Sequence, residues 1–105
     1  DAALAEARRD RRPVFVVFCA EWSAACAELR RVVVLPELAG ALGRVTRVWV
    51  DLSDDDDPDV KALLKRFSIL GVPTLIALDR DGREVGRESS LVGPDRLAAL
   101  IARTR

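Results

Sequence analysis

The chain is expected to fold as a layered α/β sandwich around a four-stranded mixed sheet, an expectation that three features of its 105 residues carry. Strand-like and helix-like stretches alternate along its whole length. Residues 13–20 (PVFVVFCA) are apolar at every position, as a strand covered on both faces requires. Near the C-terminus a tight-turn signal, RDG at residues 80–82, separates two further strand-like runs.

The elements follow in order. Residues 2–9 (AALAEARR) favour a short helix with little apolar face, an appended N-terminal element. After the apolar strand, Cys26, Leu29, Val32 and Val33 recur at helical spacing from Ser23 onward. Pro36 ends or kinks that helix, and PELAGAL (36–42) reads as one more short turn. Residues 44–52 (RVTRVWVDL) form a second strand. A loop then feeds a helix in SDDDDPDVKALLKRF (53–67), with aspartates at the end the helix dipole favours. Residues 73–79 and 83–89 are the two strands of the hairpin, and 93–103 (GPDRLAALIAR) closes the chain as a helix. The helical crossover makes the first two strands parallel, whereas the hairpin adds an antiparallel edge. One domain is expected over residues 1–105, with 1–11 a helical extension and 12–105 the core.

Composition excludes several classes of function. Lys plus Arg and Asp plus Glu both number 17, so no electrostatic case exists for nucleic acid or an anionic membrane. No apolar run approaches the ~20 residues that span a bilayer, so membrane insertion is not expected. The chain starts at Asp1 and has no methionine, and is expected to be an excised domain or a processed chain. There is no histidine, which removes the commonest general base and metal ligand. Two cysteines cannot make a four-ligand zinc site, and no metal or cofactor is expected. The acidic run at residues 51–59 fails the EF-hand template: counted from Asp51, Asp56 stands where glycine is needed and Ala62 where glutamate is needed. A solvated loop and acidic helix start is the reading.

Chemistry concentrates in FCAEWSAACAEL (18–29), where strand turns into helix and two cysteines, a tryptophan and a serine crowd together. With GVPT (71–74) ahead of the third strand, this order resembles the thioredoxin family, and within it the C-terminal domains of the DsbD type. The resemblance runs from about Arg12 to the C-terminus. It implies a thioredoxin fold, a three-layer α/β/α sandwich. By resemblance such domains receive electrons from a membrane-embedded partner domain and pass them to periplasmic proteins bearing disulfides or thiols, which places the chain in the periplasm or another extracytoplasmic space.

The same resemblance assigns the site residues. The family carries W-C-x-x-C across the strand-to-helix turn, and Ser23 occupies the position of the attacking cysteine. A serine hydroxyl ionises too weakly to act as a thiolate, and no histidine is present to activate it. As a residue type, serine is a good helix N-cap. Cys26 matches the recessed resolving cysteine. Two readings stay open for Cys19: a small core hydrophobe, or the partner of Cys26 in an unusual C-x6-C pair. Val17 stands where many relatives keep a buried acid. Pro73 is expected after a cis peptide bond, leaving the Val72 backbone to pair with an extended partner segment, with Trp22, Ile69, Leu70 and Val72 as an apolar rim. Two functions follow as expectations. The first is an oxidoreductase domain with a degenerate Ser23-Ala24-Ala25-Cys26 motif and weak or no dithiol reductase activity. The second is a redox-silent module that binds peptides or proteins. Whether Ser23 is natural or introduced stays open.

Overall fold

A computed structural model describes residues 2–54 and 56–105. Asp1, the start of the expected extension, and Asp55, within the acidic run weighed as a calcium loop, lie outside the described residues. Strand β1 (Val14–Cys19) pairs in parallel with β2 (Thr46–Asp51) and antiparallel with β3 (Thr74–Leu78). β3 pairs antiparallel with β4 (Glu84–Glu88), with a bulge between Ala77 and Leu78, so the sheet order is β2-β1-β3-β4. β1 and β3 are buried at every position, because both lie inside the sheet and under helices on each face. β2 begins at Thr46 rather than Arg44, since Arg44 and Val45 close the preceding turn onto Ala41 and Leu42.

Among the described residues five helices cover the sheet: α1 (Ala2–Arg9), α2 (Ala24–Val32), α3 (Ala39–Leu42), α4 (Pro58–Arg66) and α5 (Pro94–Ala102). A 3-10 turn at Pro36–Leu38 precedes α3. The period-two alternation of β1 divides the core. Val14, Val16 and Phe18 pack with Leu4 and Ala7 of α1 and Val60 of α4. Phe15, Val17 and Cys19 face the other way, toward Cys26 and Leu29 of α2 and Leu97, Leu100 and Ile101 of α5. The result is a three-layer α/β/α sandwich in which the last residue of β1 points into the layer that α2 begins.

Local chemistry sets the helix ends. Ser23 is the N-cap of α2, its Oγ accepting a hydrogen bond from the Cys26 N–H at 3.2 Å. Asp57 caps α4 through the Asp59 N–H at 2.8 Å, and Pro58 supplies the fixed φ of the first helical position. Past α4, Ser68 takes a left-handed conformation (φ 53°) that glycine usually supplies. The Arg87 guanidinium donates to the Phe67 carbonyl at 2.6 Å and to the Ser68 carbonyl at 3.4 Å, so a β4 side chain satisfies the end of α4. Glu84 holds that guanidinium from the other side at 2.7 Å and raises its pKa further.

Candidate active site

Cys19 ends β1, and Cys26 lies in the first turn of α2. The residues between them turn back on themselves, the Ser23 N–H donating to the Ala20 carbonyl at 3.2 Å. Strand alternation aims Cys19 at α2, and the turn brings the first helical residues over it. The two Cα atoms stand 5.7 Å apart, and the sulfurs are joined in a disulfide.

This bond overturns the expectation that serine has replaced a redox sulfur and left the chain with weak or absent dithiol chemistry. The reading of a redox-silent module falls with it. The partner of Cys26 comes from the strand behind the turn and not from the position beside Trp22. Two thiols are therefore present as a couple, in a C-x6-C arrangement, without any cysteine at position 23. Ser23 serves the helix: it occupies one of the unpaired N–H groups that α2 would otherwise expose. Both cysteines are almost wholly buried, at 2% and 3% exposure, within an otherwise apolar cluster.

A cleft of about 330 Å³ between α2 and β2 reaches both cysteines. Its other walls include Glu21, Arg30, Trp49 and Asp51. Asp51 is the direct cross-strand neighbour of Cys19, as Trp49 is of Val17. The Ser53 hydroxyl and the Ser53 N–H, the latter at 2.9 Å, both donate to the Asp51 carboxylate. These bonds, with a smaller contribution from the charge of Arg30, hold its pKa below the usual carboxylate range. Ser53 Oγ in turn accepts from the Glu21 N–H at 2.8 Å, tying the end of β1 to the end of β2. The Arg30 guanidinium carbon sits 4.3 Å from the Trp49 ring centroid, a cation–π contact that orients it along the cleft wall. Arg30 was not singled out from the sequence, and Asp51 entered only as the first position of the rejected calcium loop. The signal was available: Arg30 is four residues from Cys26, one helical turn away, and Asp51 ends the second strand as Cys19 ends the first.

The remaining predicted residues gather elsewhere. Trp22 (74% exposed) and Leu70 (fully exposed) flank a groove whose floor includes Leu52, Leu64, Ile69 and Val72. The Val72–Pro73 peptide bond is cis, Pro73 is buried, and Thr74 Oγ1 donates to the Gly71 carbonyl at 2.7 Å. Leu52 and Ile69 belong to the core on the α4 side, and neither cysteine lines this groove. Val17 is buried on the cysteine face, so no carboxylate lies at its position.

Comparison with known proteins agrees with the fold. A family model described as a thioredoxin-like domain matches residues 1–105. The thiol:disulfide interchange protein DsbD of Ralstonia nicotianae is 33% identical over the whole of this chain, which spans 17% of that protein's length. A thioredoxin of Chlamydia trachomatis is 37% identical over 86% of this chain and 80% of its own. Among solved structures, the reduced DsbD C-terminal domain of Neisseria meningitidis superimposes with a TM-score of 0.85. The superposition covers 99% of this chain and 92% of that one at 24% identity. The three-layer sandwich is the thioredoxin fold.

Proposed function

The chain belongs to the thioredoxin-like domain family, and from that premise we propose that it is a thiol–disulfide oxidoreductase domain whose redox couple is Cys19 and Cys26. The observation that carries the reading is the disulfide itself, set at the junction of β1 and α2 and opening on a polar cleft. A dithiol so placed can take two electrons from one protein and give them to another by successive thiolate attacks.

The relatives supply the context. Since the chain spans only a small part of the DsbD proteins it matches, the activity of the whole proteins comes to it as proposal. We assign it partners bearing thiols or disulfides, among them a membrane-embedded redox domain, and an extracytoplasmic, periplasmic setting. Among the described residues no helix is long and apolar enough to cross a membrane. Residues 1–105 act as one thioredoxin-like domain with 1–11 as its extension. Trp22 and Val72, with the buried Pro73 next in the chain, belong to the surface that holds a partner's extended chain, because an exposed tryptophan beside an exposed leucine offers apolar area at a groove edge. Cys26 and Cys19 carry the exchange, and Ser23 caps the helix that presents Cys26.

The test is disulfide reduction of insulin with a dithiol donor, alongside thiol counting on the protein equilibrated in thiol–disulfide buffers. Turnover above the donor-only background, lost in both Cys19→Ser and Cys26→Ser, is expected. A bond between Cys19 and Cys26 that no dithiol donor opens in the folded protein, with turnover at background, would refute the function.

A further inference from the structure

The two sulfurs of the couple do not stand in equivalent surroundings. Cys26 is the third residue of the nine-residue α2, whose aligned peptide dipoles place partial positive charge at that end. Arg30, one turn further along the same helix, lines the same cleft. Cys19 sits instead at a strand end, directly across from Asp51, whose carboxylate is kept ionised by the two Ser53 bonds. The charged groups that line the cleft beside the pair are Glu21 from the turn, Arg30 from α2 and Asp51 from β2. The core cluster holding both cysteines is otherwise apolar.

Resting on the redox reading above, we propose that Cys26 is the sulfur that forms mixed disulfides with partners and Cys19 the sulfur that resolves them, with Arg30 and Asp51 as positioning residues that set this polarity across the cleft between α2 and β2. This reverses the resolving role that resemblance assigns to Cys26. In the reduced protein the Cys26 thiolate attacks one sulfur of a partner R–S–S–R′. A bond forms between Cys26 Sγ and the sulfur borne by R, the partner's S–S bond breaks, and R′S⁻ leaves. Cys19 then gives up its proton and attacks Cys26 Sγ as the thiolate; the Cys19–Cys26 bond forms, the mixed S–S bond to the partner breaks, and the departing sulfur takes up that proton and leaves as RSH. Two electrons pass from the dithiol to the partner, and the reverse sequence reloads the domain from a dithiol donor. The α2 dipole and Arg30 favour the charged form of Cys26, and Asp51 disfavours the charged form of Cys19.

The experiment uses the whole chain reduced by a phosphine, so it returns an answer even if no partner disulfide is turned over. Reduced protein is treated at several pH values with less than one equivalent of iodoacetamide, a neutral reagent. The adduct is located by fragmenting the peptide that contains both cysteines. Cys26 is expected to take at least about ten-fold more label than Cys19 at pH 7. Its labelling rate should exceed that of Cys19 at each pH tested. Arg30→Ala should lower that rate several-fold, and Asp51→Asn should raise the labelling of Cys19. A mixed disulfide with a small aromatic disulfide should persist in Cys19→Ser. Label on Cys19 equal to or above that on Cys26 overturns the proposal, and so does a labelling ratio unmoved by both Arg30→Ala and Asp51→Asn. The wild-type measurement decides alone if a cysteine variant does not fold. Failure of insulin turnover with label on Cys26 would sink the proposed function and leave the polarity standing.

Discussion

Reducing the Cys19–Cys26 bond should lower the stability of the folded chain by an amount that can be worked from its position. The bond closes a loop with a sequence separation of 7. In the chain-entropy treatment, a loop of about this length removes roughly 8 cal/mol/K from the unfolded ensemble, or ~2.4 kcal/mol at 25 °C. Reduction returns that freedom to the unfolded chain. The native packing has little reason to change, because both cysteines are buried with Leu29, Phe15 and Leu75 in one apolar cluster. A thiolate at the start of α2 offsets at most about 1 kcal/mol of the loss. For 105 residues the unfolding entropy near the midpoint is roughly 220 cal/mol/K, so ~2.4 kcal/mol corresponds to a fall in Tm of about 11 °C. The assay is thermal unfolding followed by circular dichroism, on oxidised protein and on protein held reduced by a phosphine. A reduced form that melts within 3 °C of the oxidised one (roughly a quarter of the expected shift), or above it, would refute the loop-entropy reasoning. The native state would then be holding strain that the bond imposes.

Other outcomes follow from single contacts. Ser23→Ala should cost about 1 kcal/mol in urea unfolding, because the Cys26 N–H loses its acceptor, and Ser23→Asp should retain most of the stability. Arg87→Ala should cost about 1–3 kcal/mol, since the Phe67 carbonyl at the end of α4 loses its donor, a loss that urea midpoints would register. Asp51 has a lowered pKa, so its contribution is present above the ordinary carboxylate range and lost as pH falls through the folded value. Asp51→Asn should therefore flatten the fall in stability between about pH 5 and pH 2, measured by urea unfolding across that range. Trp22→Ala should leave stability within about 0.5 kcal/mol, because the side chain is largely exposed, while weakening capture of an extended partner peptide in a binding titration.

Much of the molecule was legible in the order of its residues. The continuous apolar run of β1, the hairpin around residues 80–82 and the helical spacing of Leu97, Leu100 and Ile101 are local patterns, and local patterns survive into the fold unchanged. Ser23 and Asp57 announce helix starts because a cap acts on N–H groups only two or three residues away. The end of α4 was less legible, since Ser68 adopts a left-handed conformation and its neighbouring carbonyls are met by Arg87, 20 positions on from Phe67.

The candidate site divides along the same line. Residue order alone determined that two cysteines flank a strand-to-helix turn, that position 23 holds a helix cap, and that the strand before it is buried on both faces. It left Cys19 with two fates, because spacing along a chain does not say where two side chains meet. Only the tertiary structure decided between them. The sheet sets which face of β1 looks at α2, the turn at residues 20–23 sets how far the helix folds back, and together they bring the Cα atoms to 5.7 Å. A disulfide needs two sulfurs at one point in space, and that is a property of packing between elements rather than of any one of them.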